Sequence, residues 1–266
     1  MQSEEQRMRI KGIVRTIYDY QDIRIKMGNR LRFKKDGKDQ NDNGTEMAIN
    51  AEDIPSLVDA YDDSKEIEEN LVKSLKKELK GIPVYDTFLK DVKGVGPMMA
   101  AVIISEYDIY KAHTISAMVQ FTGLNPGLVK GRKMKDGKPV VTDDMIRGDK
   151  LTSGYLAPYN ARLRTKMVGV LGSSFLKAKS PYAKFYYDYK NRLENEAREI
   201  EGREGKTWKD TTAKHRHNAA IRFMMKAFIR DLYYAWREVE GLPTRCPYEE
   251  EYLGIKHHDY SKEKTA

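Results

Sequence analysis

The chain has a single cysteine, Cys246, among its 266 residues. No internal disulfide framework can brace it, and a reducing compartment suits it. It lacks an N-terminal apolar stretch of the signal-peptide kind. Its longest strictly apolar run, Met98 to Ile104, falls far short of the roughly 20 residues that span a bilayer. These absences predict a cytoplasmic, nucleoid-associated protein with no membrane partner. Metal-ligand spacings are missing as well. His257 and His258 with Cys246 do not match a zinc pattern, and His215 and His217, two apart on a helix, point to different faces. The acids Glu52, Asp53, Asp62, Asp63, Glu66, Glu68 and Glu69 alternate with lysines like the outer face of an amphipathic helix. A two-metal nuclease holds several carboxylates around its ions, and the first 90 residues show no strand pattern to carry them. There is no internal repeat.

What is present is positive charge, unevenly placed. The formal net charge is +8 and the sequence pI about 9.2. From Lys130 to Lys190 there are fourteen Lys and Arg against five Asp, a net +9, so the rest of the chain nets −1. Such concentration predicts a polyanionic partner. Apolar residues make up 40% of the chain and charged residues 33%, with a mean hydropathy of −0.71. Together these fit helices with much solvated surface.

Periodicity predicts an all-α fold. Ile10, Ile13, Val14, Ile17, Tyr20, Met27 and Leu31 recur at helical spacing over about residues 4–33. A polar, Gly- and Asn-rich stretch near 34–51 reads as a flexible linker. A second amphipathic helix runs from about Glu52 to Lys80 and is stopped by Gly81 and Pro83. The two stripes can pair with each other as an antiparallel hairpin or coiled-coil arm, or with a second protomer, making a homo-oligomer through these helices. Residues 1–81 thus form an arm, 82–243 a helical domain and 244–266 a peripheral tail. In the domain, short helices flank residues 94–96. The stretch Gly127 to Thr152 reads as a long surface loop or a β-hairpin around Asp136-Gly137. Pro158 opens a helix ending near Gly172, Ser180-Pro181 starts another running to Ile200, and Thr211/Thr212 cap a last helix to about Glu240.

The densest chemical signal is Lys93-Gly94-Val95-Gly96-Pro97. An apolar-x-Gly-apolar-Gly turn between helices permits φ > 0 and close backbone approach. Pro97 then opens a helix whose N-terminal N–H groups and dipole suit a phosphate. The competing reading is a tight corner between two helices. Lys130, Arg132, Lys133, Lys135 and Lys138, with Arg162, Arg164 and Lys166, would extend the positive surface. Residues 162 and 166 share a helical face and 164 lies roughly opposite, so one of them serves elsewhere. Tyr182, Phe185, Tyr186 and Tyr189 form one stripe, which reads as core. Tyr187, off that stripe, is the better candidate to stack on a base.

From about Ile82 to Glu240 the chain resembles the C-terminal domain of insertion-sequence transposases that pair an N-terminal RuvC-like DEDD domain with a serine-bearing domain. KGVGPMMAAVIISEYDIY is similar to the family's PGIGPxTAxxLLAEIGD hairpin, and ISAMVQFTGLNPG to its LAAYAGLxP. YNARLRTKM, SPYAKFYYDYKNR and AAIRFMMKAFIRDLYYAWR follow in the family's order. The resemblance implies DNA transposition or recombination, with DNA as the expected partner and RNA as the alternative. Residues 1–80 do not resemble the RuvC-like domain. The metal-binding carboxylates therefore have no counterpart, and Mg²⁺ would enter only with such a domain supplied in trans. Where the family places its nucleophilic serine this chain has Lys130-Gly131-Arg132. Ser153-Gly154, downstream, is the displaced candidate for catalysis. A catalytically inactive scaffold derived from a transposase, binding DNA or RNA, is the alternative function.

Overall fold

A computed structural model describes residues 3–32, 34–35, 38–39, 49–195, 199–200 and 203–245. The protein is mostly helical, with a few short strands. It divides into two compact units, Gln2–Ile82 and Pro83–Ala266. Among the described residues no helix is long and apolar enough to cross a membrane.

The first unit is built on α1 (Glu4–Arg30) and α2 (Pro55–Leu79). Ser3 caps α1 by accepting from the Gln6 N–H, with Glu4 and Glu5 in the first turn opposing the helix dipole. Between the helices lie β1 (Leu31–Arg32), β2 (Lys34–Lys35), β3 (Lys38–Asp39) and β4 (Ile49–Asn50). β1 pairs with β4 in parallel, and β2 with β3 antiparallel. The linker expected near 34–51 otherwise falls outside the described residues. The two helices pack together in cis. Arg24 Nε sits 2.8 Å from Glu68 Oε2 and Arg9 Nε 3.6 Å from Glu78 Oε2, so the start of one helix faces the end of the other. Ile10, Val14 and Ile17 of α1 and Leu75 and Leu79 of α2 are buried, as the stripes predict. Gly28 is needed where α1 meets Tyr61, since a Cβ there would lie 3.1 Å from the ring.

The second unit begins with α3 (Pro83–Thr87), a 3-10 turn (Leu89–Asp91), α4 (Pro97–Glu106) and α5 (Ile115–Phe121). α4 is buried from Met99 to Glu106, as an all-round apolar helix must be. Thr114 caps α5 through its side chain, accepting from the Ala117 N–H at 3.1 Å. The stretch after α5 is a hairpin rather than a loop: β5 (Leu128–Lys135) and β6 (Lys138–Arg147) pair antiparallel. Asp136 and Gly137, both at positive φ, make the turn.

Four helix boundaries differ from the sequence expectation. Pro158 does not open a helix. Asn160 does, because its side chain caps Leu163 N–H at 3.0 Å and α6 starts at Ala161. α6 (Ala161–Arg164) continues through a π-helical stretch (Thr165–Leu171) into α7 (Gly172–Lys177), so the helix does not end near Gly172. α8 (Ala183–Asn195) starts beyond Ser180-Pro181. The Ser180 hydroxyl is buried with no hydrogen-bond partner among the described residues, and its backbone carbonyl accepts from Ala183 N instead. Ile200 belongs to β7 (Glu199–Ile200), paired with β8 (Arg203–Thr207). α9 (Ala213–Val239) is capped by the Thr212 side chain and followed by Gly241 at φ +66. Its Met224, Phe228, Leu232, Tyr233 and Trp236 form the centre of this unit's core. Each such fully buried apolar side chain contributes about 1.5–3 kcal/mol.

Candidate nucleic-acid interface

Gly94 takes φ +100. A Cβ there would lie 2.8 Å from Phe175 Cδ1, and the Gly94 carbonyl accepts from Ser174 Oγ at 2.7 Å. This glycine therefore lets the turn close against α7, which is the tight-corner role. Gly96 differs. Its φ is −88, it is the N-cap of α4 with no side-chain cap, and no atom would lie within 4 Å of an added Cβ. Lys93 and Gly96 are exposed, and Val95 is half-buried with its N–H bonded to Val92 O at 2.9 Å. The open side of the turn is thus Lys93, Gly96 and Pro97, where the first N–H groups of α4 and a lysine could donate to an oxyanion.

The β5–β6 ribbon sorts the loop lysines onto two faces. Tyr155 covers one face. Its ring lies where a Gly131 Cβ would come within 2.6 Å, its hydroxyl donates to Asp144 at 2.7 Å, and Lys133 Nζ sits 4.3 Å above the ring. The hydrogen bond with Tyr155, ahead of the charge of Asp144, raises the Lys133 pKa above its ordinary value. The same hydroxyl is the main cause that lowers the Asp144 pKa. By strand alternation Lys135 shares the face of Lys133. The other face carries Lys130 and Arg132. It also leaves Leu128, Met134, Val141 and Met145 between 54% and 62% exposed. Lys130 pairs with Asp143 at 3.3 Å, an exposed contact, and Arg132 Nη2 reaches Ala157 O at 3.4 Å. Sequence reasoning grouped Lys130, Arg132, Lys133 and Lys135 together; the pleat separates them.

The three cations after the ribbon also divide. Arg164 turns inward, donating to the Asp149 backbone carbonyl with its guanidinium 4.9 Å from the Tyr159 ring centre. Arg164 is thus the one that serves elsewhere, on a backbone carbonyl. Arg162 and Lys166 remain neighbours on one face. Burial, and next the charge of Arg162, holds the Lys166 ammonium pKa below its usual value. No hydrogen bond or ion pair among the described residues links residues 93–97 to the ribbon.

Ser153 sits exposed at the second position of a tight turn closed by Tyr155 N to Thr152 O, with Gly154 at φ +80. Its hydroxyl has no hydrogen-bond partner among the described residues. No group of three or more His, Cys, Asp or Glu among the described residues could hold a metal ion. Cys246, His257 and His258 lie outside them. Of the aromatic stripe, Tyr182 and Tyr186 are buried, bonded through their hydroxyls to Asp231 at 2.9 Å and His217 at 2.7 Å, while Phe185 and Tyr189 are half-buried. Tyr187 is 58% exposed.

Residues that sequence reasoning missed are Arg147 and Asp149, a bidentate pair at 2.9 and 3.0 Å, and Asn160, which donates to Glu106 at 2.8 Å. An Asn just before a short helical pattern was the available signal for the last. The Arg147–Asp149 pair spans only two residues and has no periodic signature. No family model, curated protein or solved structure matches this chain.

Proposed function

We propose that the protein is a transposase-like DNA-binding protein acting in DNA transposition or recombination, and that it holds the nucleic-acid backbone through its ribbon and the open side of the Lys93–Pro97 turn. The observation that carries this reading is the uncovered face of β5–β6. It places Lys130 and Arg132 among four exposed apolar side chains. A two-stranded ribbon has dimensions that a duplex major groove accepts. Its cations answer phosphates while its apolar side chains lie against sugar and base edges. Lys93 and the first N–H groups of α4 supply a second, sequence-independent backbone contact.

Binding rather than cutting is the activity assigned to this chain alone. A serine nucleophile needs a neighbouring base to activate it, and the Ser153 hydroxyl makes no hydrogen bond to one among the described residues. This favours, as second reading, a catalytically inactive scaffold that delivers nucleic acid to carboxylates and Mg²⁺ on another chain. The test is fluorescence anisotropy with a labelled duplex, comparing the parent with Lys130→Glu plus Arg132→Glu, alongside a strand-cleavage assay with Mg²⁺ on the parent and Ser153→Ala. Loss of binding in the charge-reversed variant supports the proposal, and unchanged binding refutes it. Cleavage that disappears with Ser153→Ala would remove the scaffold reading.

A further inference from the structure

The far end of the β5–β6 ribbon buries none of its residues. Nearer its base the ribbon is anchored. The Leu156 N–H donates to the Arg132 carbonyl at 2.7 Å, Thr142 Oγ1 donates to the Gly131 carbonyl at 3.2 Å, and the Tyr155 ring lies against Gly131. Beyond that anchor the ten residues from Arg132 to Val141 are all exposed. A two-stranded hairpin with no packed face is marginal in water, and a cluster of exposed apolar side chains marks a surface that a partner covers.

The register sorts this tip by chemistry. Arg132 pairs with Val141 and Met134 with Pro139, which sets Met134, Pro139 and Val141 side by side on one face. Met134 is 56% and Val141 60% exposed. The opposite face carries Lys133, Lys135 and Lys138, with Lys135 opposite Lys138 across the Asp136-Gly137 turn. Lys135 and Lys138 are exposed and make no ion pair among the described residues. From Arg132 to Val141 four cations stand against Asp136, a net +3, so the partner that suits the tip is a polyanion. Phosphates answer the lysines. Met134 and Pro139 gain nothing from phosphates, because their side chains donate no hydrogen bond and gain only by leaving water. In a duplex the large apolar surfaces are the stacked base faces, and Met or Pro side chains pushed between base pairs unstack a step and kink the helix axis. Pro139 suits that position, since its φ is fixed and it brings no N–H to strand there.

We propose that the ribbon tip is a wedge: Met134 and Pro139 enter between two base pairs of a duplex, while Lys135 and Lys138 hold phosphates beside the opened step. The preferred ligand is then a duplex whose stacking is already weakened by a mismatch, since part of the unstacking cost is removed beforehand. This inference rests on the duplex binding proposed above and adds to it a deformation of the DNA and a class of favoured substrate.

The test uses the full chain beside two double variants, Met134→Ser with Pro139→Ser and Lys135→Gln with Lys138→Gln. All four positions are exposed, so circular dichroism melts of both variants match the parent's. The ligands are a matched duplex and the same duplex with one central mismatch, each carrying 2-aminopurine beside that step and a dye at either end. The parent binds the mismatched duplex about 10-fold more tightly than the matched one, raises the 2-aminopurine emission and brings the dyes closer together. The Met134→Ser, Pro139→Ser variant loses the mismatch preference, the emission rise and the bend, yet binds the matched duplex within about threefold of the parent, because its phosphate contacts remain. The lysine variant binds both duplexes more weakly, and its salt slope is smaller by about 2. A parent that binds duplex without bending it or raising the emission overturns the wedge and leaves the ribbon reading standing; so does a Met134→Ser, Pro139→Ser variant that bends DNA as the parent does. A parent that binds no duplex overturns both readings. If those two substitutions instead turn an oligomer into a monomer in a solution mass measurement, the tip is a contact between copies of the chain and the wedge is refuted.

Discussion

Replacing Gly94 by alanine and Gly96 by aspartate separates the two tasks that a glycine pair in this turn can serve. At Gly94 an alanine must hold φ near +100 and place its Cβ 2.8 Å from Phe175 Cδ1 and 3.4 Å from the Phe175 Cα. A left-handed conformation costs a non-glycine residue about 1–2 kcal/mol. Overpacking a filled site costs about 1–3 kcal/mol more. The sum, about 2–5 kcal/mol, lowers the melting temperature by roughly 4–20 °C for a unit of this size. Gly96 predicts the opposite. With open space around it and a helix N-terminus that lacks a side-chain cap, aspartate can accept from the free N–H groups of α4. Stability is then unchanged or rises by a few tenths of a kcal/mol. Its carboxylate, however, occupies the position that a phosphate would take. Far-UV circular dichroism melts run beside duplex-binding titrations read both effects. A Gly94→Ala variant that melts with the parent, or a Gly96→Asp variant that binds duplex as tightly as the parent does, would refute this division between the two glycines.

Other substitutions test the packing that positions these groups. Arg237, 3% exposed, donates to the carbonyls of Ile109, Ala112 and Pro243 at 2.6–3.1 Å; Arg237→Met strands these acceptors and costs about 3–5 kcal/mol in urea unfolding, and a loss below 1 kcal/mol would contradict that assignment. Gly131→Ala drives a Cβ to 2.6 Å from the Tyr155 ring and should cost about 1–3 kcal/mol, with loss of ordered Tyr155 signals in near-UV circular dichroism; an unchanged spectrum would show that the ring does not cover that face. Ile25 and Ile67 remain exposed although α1 and α2 pair in cis, so Ile25→Lys with Ile67→Lys should turn an oligomer into a monomer in a solution mass measurement, and a parent that is already monomeric refutes assembly through these helices.

Much of the helical frame was legible because its signals are local. The stripe Ile10, Val14, Ile17 marks α1, the cap Thr212 marks α9, and Gly81 ends α2 at positive φ. The ribbon was ambiguous for a physical reason. Both its faces carry polar residues, so alternation in hydropathy does not distinguish a strand from a loop, and only Asp136-Gly137 marks the turn. Pro158 and Ser180 misled because a proline near a helix start is a weaker signal than the side chain that caps it, which here is Asn160. The division of labour within the glycine pair was invisible, since it depends on Phe175 and Ser174 some eighty residues later.

On the proposed function, the exposed cations of this chain neutralise phosphates along a strand. This is tested most directly by the affinity for a labelled duplex measured across a series of salt concentrations. If about 4–5 phosphates are neutralised, the logarithm of the association constant falls linearly with the logarithm of salt concentration, with a slope of roughly −4. Binding that ignores salt, or no binding at low salt, would contradict the account.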